Sequence, residues 1–252
     1  MKRFIFFATL LLPILFNTAF AKGNAGTEAT YESRYLVDMP NAGMLPKSHY
    51  LFCPKFIEDG GLLLDLEVAP FDFLNVGISY PIFGVIGDHK LYFPKNLPGF
   101  KIKLRVLGED VYIPAIAIGF SSQGNGLYDN DKFRYDQLSP GFYLVLSKSF
   151  KWSLGEISAH IGANYCVENK DNMGFNVYGG IEQTIGKYFA VIVEANPNFN
   201  DEHKNSRLNL GIRAGIFENV TLEWQLREIF ASKNKPFTEM KRYLAFEIIK
   251  RF

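Results

Sequence analysis

A two-residue alternation of apolar and polar residues dominates this chain from about residue 48 to its end. In residues 220–227 the even positions carry Val, Leu, Trp and Leu, while the odd positions carry Thr, Glu, Gln and Arg. Successive side chains of a β-strand point to opposite faces, so this period predicts strands with one apolar and one polar face. Stretches with the period of a helix are nearly absent, which predicts an all-β fold.

The pattern divides into about twelve predicted strands, most of them 9–11 residues long. This is the length that a tilted strand needs to cross a bilayer, whereas globular strands are usually about 5–6 residues long. An even number of strands fits a closed single-chain barrel. The predicted segments are 48–56, 61–69, 73–80, 98–108, 112–121, 140–149, 155–166, 174–184, 188–196, 205–215, 220–229 and 242–252.

The connections between these strands alternate in length. The even-numbered ones are short, at 70–72, 109–111, 150–154, 185–187 and 217–219. The odd-numbered ones are longer and polar, at 81–97, 122–139, 167–173, 197–204 and 230–241, and only the first, at 57–60, is short. This sorting predicts a single antiparallel up-and-down transmembrane barrel with short periplasmic turns and longer extracellular loops.

Tight hairpin loops also predict which residues pair across neighbouring strands, because loop length fixes the register. With three-residue loops, polar residues face polar ones and apolar residues face apolar ones. The predicted pairs are Arg213 with Glu223, Asn209 with Arg227, Glu67 with Asn75, Tyr178 with Glu194, Leu104 with Ile116, and Ile102 with Ile118.

Two environments explain an apolar face: a soluble, lipocalin-like barrel buries it inside, and a membrane barrel turns it toward lipid. The polar face carries charges of both signs that nearly cancel, as in the interior of a membrane barrel. We therefore predict a lumen charge lattice and keep a soluble periplasmic barrel or sandwich as the alternative. The lattice comprises Asp65, Glu67, Lys101, Lys103, Arg105, Glu156, His160, Glu182, Glu194, Arg207, Arg213, Glu223, Arg227 and Glu247.

Both ends of the sequence fit export to the outer membrane of a Gram-negative bacterium. Residues 1–21 read as a signal peptide, with a basic start, an apolar stretch and a cleavage site at Ala19 and Ala21. Residues 22–47 then form a predicted N-terminal periplasmic extension, and 48–252 form the barrel. The last strand resembles the insertion signal of outer-membrane barrels, which predicts outer-membrane lipid and the barrel-insertion machinery as partners. The signal residues are Leu244, Phe246, Ile248 and Phe252.

Several strings with characteristic Gly and Pro turns resemble the YjbH-like outer-membrane barrels, a family linked to exopolysaccharide production in Gram-negative bacteria. They are Asp38-Met-Pro-Asn-Ala-Gly-Met-Leu-Pro-Lys-Ser, Asp59-Gly-Gly-Leu-Leu, Asn75-Val-Gly-Ile-Ser-Tyr, Pro98-Gly-Phe-Lys-Ile-Lys, Pro114-Ala-Ile-Ala-Ile-Gly-Phe-Ser-Ser-Gln-Gly-Asn-Gly-Leu-Tyr and Gly141-Phe-Tyr-Leu-Val-Leu-Ser-Lys-Ser-Phe. The resemblance implies a barrel fold, an envelope or exopolysaccharide-related role, and polysaccharide as a further partner. It implies no catalytic residue.

Residues that could carry chemistry are few. The net charge of +1 gives no electrostatic case for binding nucleic acid. A lipid hydrolase would need Ser, His and an acid on the lipid face, whereas His160 and the nearby Ser158 lie on the polar parity. We predict no catalytic, cofactor or metal site. The first hypothesis is a non-enzymatic structural or envelope protein, the second is a passive small-solute pore, and the third is a lipid hydrolase.

Two features are left open by the sequence. Cys53 and Cys166 are compatible with a disulfide or with two free thiols. The connection at 80–98 is too apolar for a long loop in water. We expect that part of it folds into or across the barrel mouth, or that it extends strands three and four as an extracellular hairpin.

Overall fold

The computed structural model describes residues 25–88, 90–94, 98–129, 131–168, 174–199, 206–229 and 240–252. In this part of the chain no helix is long and apolar enough to cross a membrane. The described residues form the strands β1 (His49–Ile57), β2 (Gly61–Phe71), β3 (Leu74–Ile82), β4 (Gly99–Leu107), β5 (Ala115–Ser121), β6 (Asn125–Asp129), β7 (Arg134–Gln137), β8 (Gly141–Trp152), β9 (Gly155–Tyr165), β10 (Phe175–Ile185), β11 (Phe189–Asn196), β12 (Arg207–Phe217), β13 (Val220–Arg227) and β14 (Lys241–Arg251).

Twelve of these strands, β1–β5 and β8–β14, close into one antiparallel barrel, with β1 paired to β14. The predicted fold class and strand number are therefore confirmed. Strand β5 pairs directly with β8, so β6 and β7 form a separate hairpin within the connection predicted at 122–139. We call residues 125–137 the extracellular hairpin.

The two faces of the wall decide between the membrane and soluble alternatives. Phe142, Ile161 and Ile78 point outward and are 59%, 63% and 53% exposed, while Arg213 and Arg227 are each only 1% exposed. The apolar face thus covers the outside of the barrel and the polar face lines the lumen. This is the arrangement of a transmembrane barrel, and it excludes the soluble barrel.

The connections keep their predicted alternation, with one difference. The turns after β2, β8, β10 and β12 contain only two or three residues, and the longer loops lie at the opposite end. The turn between β4 and β5 is longer than the predicted 109–111, because a register irregularity between Arg105 and Leu107 ends the regular pairing early. By the sorting of loop lengths, the short turns mark the periplasmic end.

The predicted strand register is right in only part of the barrel. Arg213 faces Glu223 as predicted. Four other predicted pairs are wrong by two residues: the structure pairs Glu67 with Gly77, Glu194 with Gly180, Leu104 with Ile118, and Ile102 with Phe120. A slip of two residues keeps every side chain on its own face, so the inward and outward sets are unaffected.

Residues 25–47, predicted as part of an N-terminal periplasmic extension at 22–47, fold back into the barrel lumen. The segment enters beside the β10–β11 turn, where the Thr27 N–H donates to Gly186 O at 3.0 Å. It turns back after Leu36, whose N–H donates to Met39 O at 2.8 Å. It leaves at the same end, where the Lys47 N–H donates to Asp72 Oδ1 at 2.8 Å. We call residues 25–47 the plug hairpin.

The described part of the 80–98 connection covers the extracellular rim beside β1 and β2. Phe83 is buried against Ile57 and Tyr243, and the Val85 N–H donates to Gly60 O at 2.9 Å. Phe83 also bridges to Tyr92 in a short antiparallel turn. His89 and residues 95–97 of this connection lie outside the described residues.

Candidate functional site in the barrel lumen

The tip of the plug hairpin is held by a carboxylate from the wall. Glu194 of β11 accepts the backbone N–H groups of Val37, Asp38 and Met39 through Oε2 at 3.0, 2.8 and 2.8 Å. Asn209 of β12 donates to its other oxygen at 2.8 Å. Successive N–H groups converging on one anion form a nest, which stabilises the negative charge in a site closed to water. Glu194 therefore fixes the tip against β11.

Arg213 of β12 links the plug hairpin to two other strands. Its Nη2 donates to the carbonyl oxygens of Tyr35 and Leu36 at 2.6 and 2.7 Å. Its Nε pairs with Glu223 at 2.6 Å and its Nη1 pairs with Glu182 at 2.9 Å. A buried charge is tolerated when it is paired and fully hydrogen-bonded, and this guanidinium meets that condition.

Asp38 connects the plug tip to the extracellular hairpin. It forms an ion pair with Arg227 of β13 and accepts a hydrogen bond from Gln137 Nε2 of β7 at 2.7 Å. Arg227 in turn donates to Gln137 Oε1 at 3.2 Å, and its guanidinium stacks 4.2 Å from the centre of the Tyr243 ring. The plug tip, the wall and the extracellular hairpin therefore meet at one buried carboxylate.

Glu168, in the β9–β10 loop, holds the base of the extracellular hairpin. Its carboxylate accepts the N–H groups of Tyr135 and Ser139, each at 3.0 Å. Burial raises the pKa of the Glu168 carboxyl above its usual range, against the opposing effect of these donors. The hairpin is thus fastened across the extracellular mouth, above the plug tip.

The wall opposite β8–β10 packs densely on the plug hairpin. Lys103 Nζ donates to Arg34 O at 2.8 Å, and the Tyr35 ring lies 5.1 Å from Lys101 Nζ and 4.9 Å from Lys103 Nζ. Arg34 pairs with Glu247 of β14 at 2.9 Å. Long charged side chains from the plug and the wall together fill this half of the lumen.

The structure brings six of the fourteen residues of the predicted charge lattice into polar contact with the plug hairpin. Contacts to the plug come from Lys103, Arg105, Glu194, Arg213, Arg227 and Glu247. Glu182 and Glu223 pair with Arg213, Asp65 pairs with Lys101 at 2.5 Å, and Arg207 pairs with Glu228 at 3.6 Å. Glu67 is buried, and Glu156 and His160 line a cavity.

The residues that the sequence did not single out are those of the plug and the extracellular hairpin. Arg34 and Asp38 lie in a segment without strand period, and Gln137 lies in a connection. The sequence signals for the plug were the charged residues Arg34 and Asp38, which no strand pattern explained, and the Gly and Pro turn residues of 34–46. Cys53 and Cys166, left open by the sequence, are both buried and free.

A cavity of about 1080 Å³ lies between the plug hairpin and the wall formed by β8, β9 and β10. This wall carries small side chains toward the lumen, among them Ser147, Ser149, Ser158 and Thr184, so the plug does not fill the space. The β4–β5 turn and the first residues of the plug line the periplasmic end. We call this space the periplasmic cavity.

Toward the extracellular side the cavity is closed by a polar and then an apolar layer. The Ala42 N–H donates to Ser147 Oγ at 3.0 Å, and that hydroxyl lies 2.7 Å from His160 Nδ1. Beyond this layer Tyr143 and Tyr178 join the apolar tip of the plug in one buried cluster. That cluster contains Leu36, Val37, Met39, Ala42, Ala115, Ala117, Tyr143, Val145, Tyr178 and Ile192.

The two tyrosines of this cluster lie flat against glycines of neighbouring strands. Tyr143 faces Gly119 across β8 and β5, and Tyr178 faces Gly162 across β10 and β9. A Cβ added to either glycine would overlap the facing ring. Only glycine therefore lets these rings lie along the wall and meet the plug.

The hydrolase alternative finds no supporting geometry in this region. Ser147 and His160 face the lumen and are 7% and 9% exposed, so they do not reach the lipid face. Ser158 pairs with Ser149 at 2.9 Å instead of approaching His160. Among the described residues His160 Nε2 has no hydrogen-bond partner, so no acid completes a Ser–His–acid arrangement.

The predicted targeting residues remain predictions. Ala19 and Ala21 lie outside the described residues. Leu244, Phe246 and Ile248 fall on the parity opposite to the lumen-facing Glu247, and Phe252 is 69% exposed. These positions are compatible with an insertion signal at the end of β14.

No protein-family model and no curated protein matches this sequence. Among solved structures, the chain is similar to a KdgM porin with a TM-score of 0.52 and 9% identity, covering 81% of this chain and 99% of that one. It also matches a KdgM porin in complex with disordered oligogalacturonate, with a TM-score of 0.49 and 10% identity over 81% and 99% of the two chains. A further match is outer membrane phospholipase A from Escherichia coli, with a TM-score of 0.39 and 11% identity over 82% and 90%. The first of these shows a shared outer-membrane barrel fold.

Proposed function

We propose that this protein is an outer-membrane channel for small polar solutes whose lumen is closed, in this conformation, by the plug hairpin. The observation that supports the proposal is how the plug is held. Twelve strands enclose a wider interior than the eight-stranded barrels that wall side chains just fill. Here a separate segment fills it, and beside two apolar clusters its contacts to the wall are hydrogen bonds and ion pairs that can be exchanged for water.

A channel accounts for the observations better than a structural or exopolysaccharide-related role. The fold is shared with a protein named as a porin, and a large cavity already opens at the periplasmic end. The YjbH-like resemblance and a polysaccharide partner rest on the sequence strings alone. The predicted passive pore is refined in one respect, since conduction requires the plug hairpin to move.

Conductance in planar bilayers tests the proposal. We expect the intact protein to open rarely and a variant with residues 33–43 replaced by a flexible Gly-Ser linker to give stable single-channel steps. An Asp131→Asn variant changes one exposed charge in the extracellular loop and serves as the control, with wild-type behaviour expected. Heat-modifiable gel mobility establishes that each variant is a folded barrel. A folded linker variant without conductance would refute the channel.

A further inference from the structure

The carboxylate of Asp38 lies in a set of donors that the plug hairpin itself does not supply. Its Oδ2 atom accepts hydrogen bonds from Gln137 Nε2 at 2.7 Å, Arg227 Nε at 3.1 Å and Asn209 Nδ2 at 3.2 Å. Its Oδ1 atom forms the ion pair with Arg227 Nη2. These donors come from β7, β13 and β12, so three separate strands converge on one carboxylate. We call Gln137, Asn209 and Arg227 the carboxylate cradle.

The cradle is positioned by the wall and the extracellular hairpin, without help from the plug hairpin. Arg227 Nη2 donates to Gln137 Oε1 at 3.2 Å, and the guanidinium stacks on the Tyr243 ring. Asn209 Oδ1 accepts the Glu228 N–H at 2.9 Å. Arg227 and Asn209 are each only 1% exposed. The donors are therefore held in a buried, pre-arranged set that does not depend on the plug tip.

The charge of Arg227 is compensated from the plug hairpin. Among the described residues, Asp38 is the one acid at ion-pair distance from Arg227. Arg207 and Lys241, at the same end of the barrel, both pair with Glu228, at 3.6 and 3.7 Å. The Nη1 atom of Arg227 is buried and has no acceptor among the described residues. Because a buried guanidinium without an anion is costly, the cradle favours a carboxylate over water when Asp38 leaves it.

Glu194 is the acid that shares a donor with Asp38, since Asn209 Nδ2 donates to the two carboxylates at 2.8 and 3.2 Å. Its negative charge is stabilised by three N–H groups of the plug tip, which belong to the backbone and not to the Asp38 side chain. The Asp38 carboxylate can therefore be exchanged while Glu194 still holds the tip. Exchange at the cradle removes one polar anchor of the tip and leaves the other.

The cradle lies where a solute that arrives from outside the cell meets the plug hairpin. Arg227 is the last residue of β13 and Asn209 is the third residue of β12, and both lie at the extracellular end of the barrel. Gln137 is the last residue of β7 in the extracellular hairpin. In the closed protein this site is filled by Asp38, whose side chain is 2% exposed. A solute carboxylate and Asp38 therefore compete for the same donors.

We propose that the carboxylate cradle recognises a carboxylate-bearing solute and that Asp38 occupies it as an internal substitute in the closed protein. A solute carboxylate that takes the place of Asp38 weakens the hold on the plug tip and shifts the population toward the open channel. Hydroxyl groups on such a solute can supply the acceptor that Arg227 Nη1 lacks. The inference rests on the proposed channel function and deepens it by naming the class of solute and the contact that it releases.

Single-channel recording in planar bilayers tests the proposal, with gluconate as the carboxylate probe and sorbitol as its neutral analogue. Both are added on the extracellular side. Gluconate replaces chloride at constant ionic strength, so that screening of the ion pair stays the same. We expect gluconate to raise the opening frequency of the wild-type protein at least about threefold, because it stabilises the open state only. Sorbitol should have no effect.

Two variants separate recognition of the solute from retention of the plug hairpin. Asp38→Asn removes the competing carboxylate, so the channel should open more often without solute and respond to about tenfold less gluconate. Arg227→Gln also releases Asp38 but removes the guanidinium, so it should open more often and not respond to gluconate. The matched control Asp131→Asn changes one exposed charge outside the cradle and should respond like the wild type.

Calorimetry measures gluconate binding without any channel opening. It uses the variant with residues 33–43 replaced by a linker, in which Asp38 no longer fills the cradle. We expect this variant to bind gluconate and not sorbitol, and the wild type to bind gluconate at least about tenfold more weakly. This measurement decides if gel mobility shows that Asp38→Asn or Arg227→Gln does not fold.

Three outcomes would overturn the proposal. In the first, gluconate acts and binds no better than sorbitol. In the second, Arg227→Gln keeps the response to gluconate. In the third, Asp38→Asn and Arg227→Gln both open more often and only Arg227→Gln was expected not to respond, yet neither responds. A linker variant that binds gluconate but does not conduct would refute the channel and support the cradle, so the two failures are distinguishable.

Discussion

At the scale of single residues, the lumen is organised by a few buried charges with several partners each. Glu194 accepts three N–H groups of the plug tip, and Arg213 spans two plug carbonyls and two carboxylates. Such groups are costly to bury alone and stable only as complete sets. The effect of a substitution therefore depends on what it leaves without a partner.

Replacing Glu194 with Ala leaves three buried N–H groups without an acceptor, at a cost of about 1–3 kcal/mol for each group that water does not reach. We expect the plug tip to detach from β11 more often. The measurement is maleimide labelling of an Asn41→Cys probe, with Cys53 and Cys166 both changed to Ser. Labelling should speed up at least about tenfold, as about 1.4 kcal/mol gives that factor. An unchanged rate would show that the nest does not hold the tip.

Replacing Arg213 with Met leaves Glu182 and Glu223 buried and uncompensated, and we expect a loss of about 3–5 kcal/mol in unfolding free energy. Changing both carboxylates to Gln in the same chain should recover most of that loss, since no unpaired charge then remains. Urea unfolding in detergent micelles measures both variants. If the triple variant is as unstable as Arg213→Met, Arg213 does not stabilise the barrel by compensating the two carboxylates.

At the scale of the strands, the sequence predicts the face on which a side chain lies better than it predicts which residues pair across strands. The two-residue period assigns inward and outward side chains correctly, because it depends only on strand geometry. The pairs of Glu67 and Leu104 were displaced because register irregularities between Val68 and Phe71 and between Arg105 and Leu107 shift the ladder. Such irregularities depend on how strands twist around a closed barrel, and a local pattern of residues does not encode them.

The cross-strand pair of Gly162 and Tyr178 gives a prediction at this scale. Gly162→Ala places a Cβ into the volume of the Tyr178 ring, and we expect a destabilisation of about 1–3 kcal/mol. In a Tyr178→Ala background the same substitution should cost much less, because the ring is gone. A double-mutant cycle by thermal unfolding measures whether the destabilisation depends on the Tyr178 ring. If Gly162→Ala destabilises the protein equally in both backgrounds, its effect comes from the backbone and not from a clash with the ring.

At the scale of the whole molecule, the barrel could be derived from the sequence and its contents could not. The strands of the wall follow a repeating local alternation of apolar and polar residues. The plug is defined by contacts such as Asp38 with Arg227, whose partners are 189 residues apart, in a segment with no period of its own. Nothing local distinguishes a segment that fills a lumen from one that lies in the periplasm.

The extracellular hairpin couples the outer face of the molecule to the plug, and removing it tests that coupling. Replacing residues 124–138 with a short Gly-Ser turn takes Gln137 away from Asp38 and uncovers the mouth. We expect more frequent openings in planar bilayers than in the intact protein. Shortening the 80–98 connection, which covers the rim beside β1, is the matched control and should have little effect. Equal opening frequencies in the intact protein and the two variants would show that the extracellular hairpin does not control opening.

The two ends of the plug hairpin lie on the same side of the barrel, one beside the β10–β11 turn and the other continuous with β1. This arrangement has a topological consequence. A segment whose two legs share one opening can enter after the wall has closed, without any chain end being threaded through the ring of strands. Folding can therefore proceed in two stages, in which the barrel wall closes first and the plug hairpin enters second. The plug hairpin can also leave the lumen and return, because β1 keeps it attached to the wall.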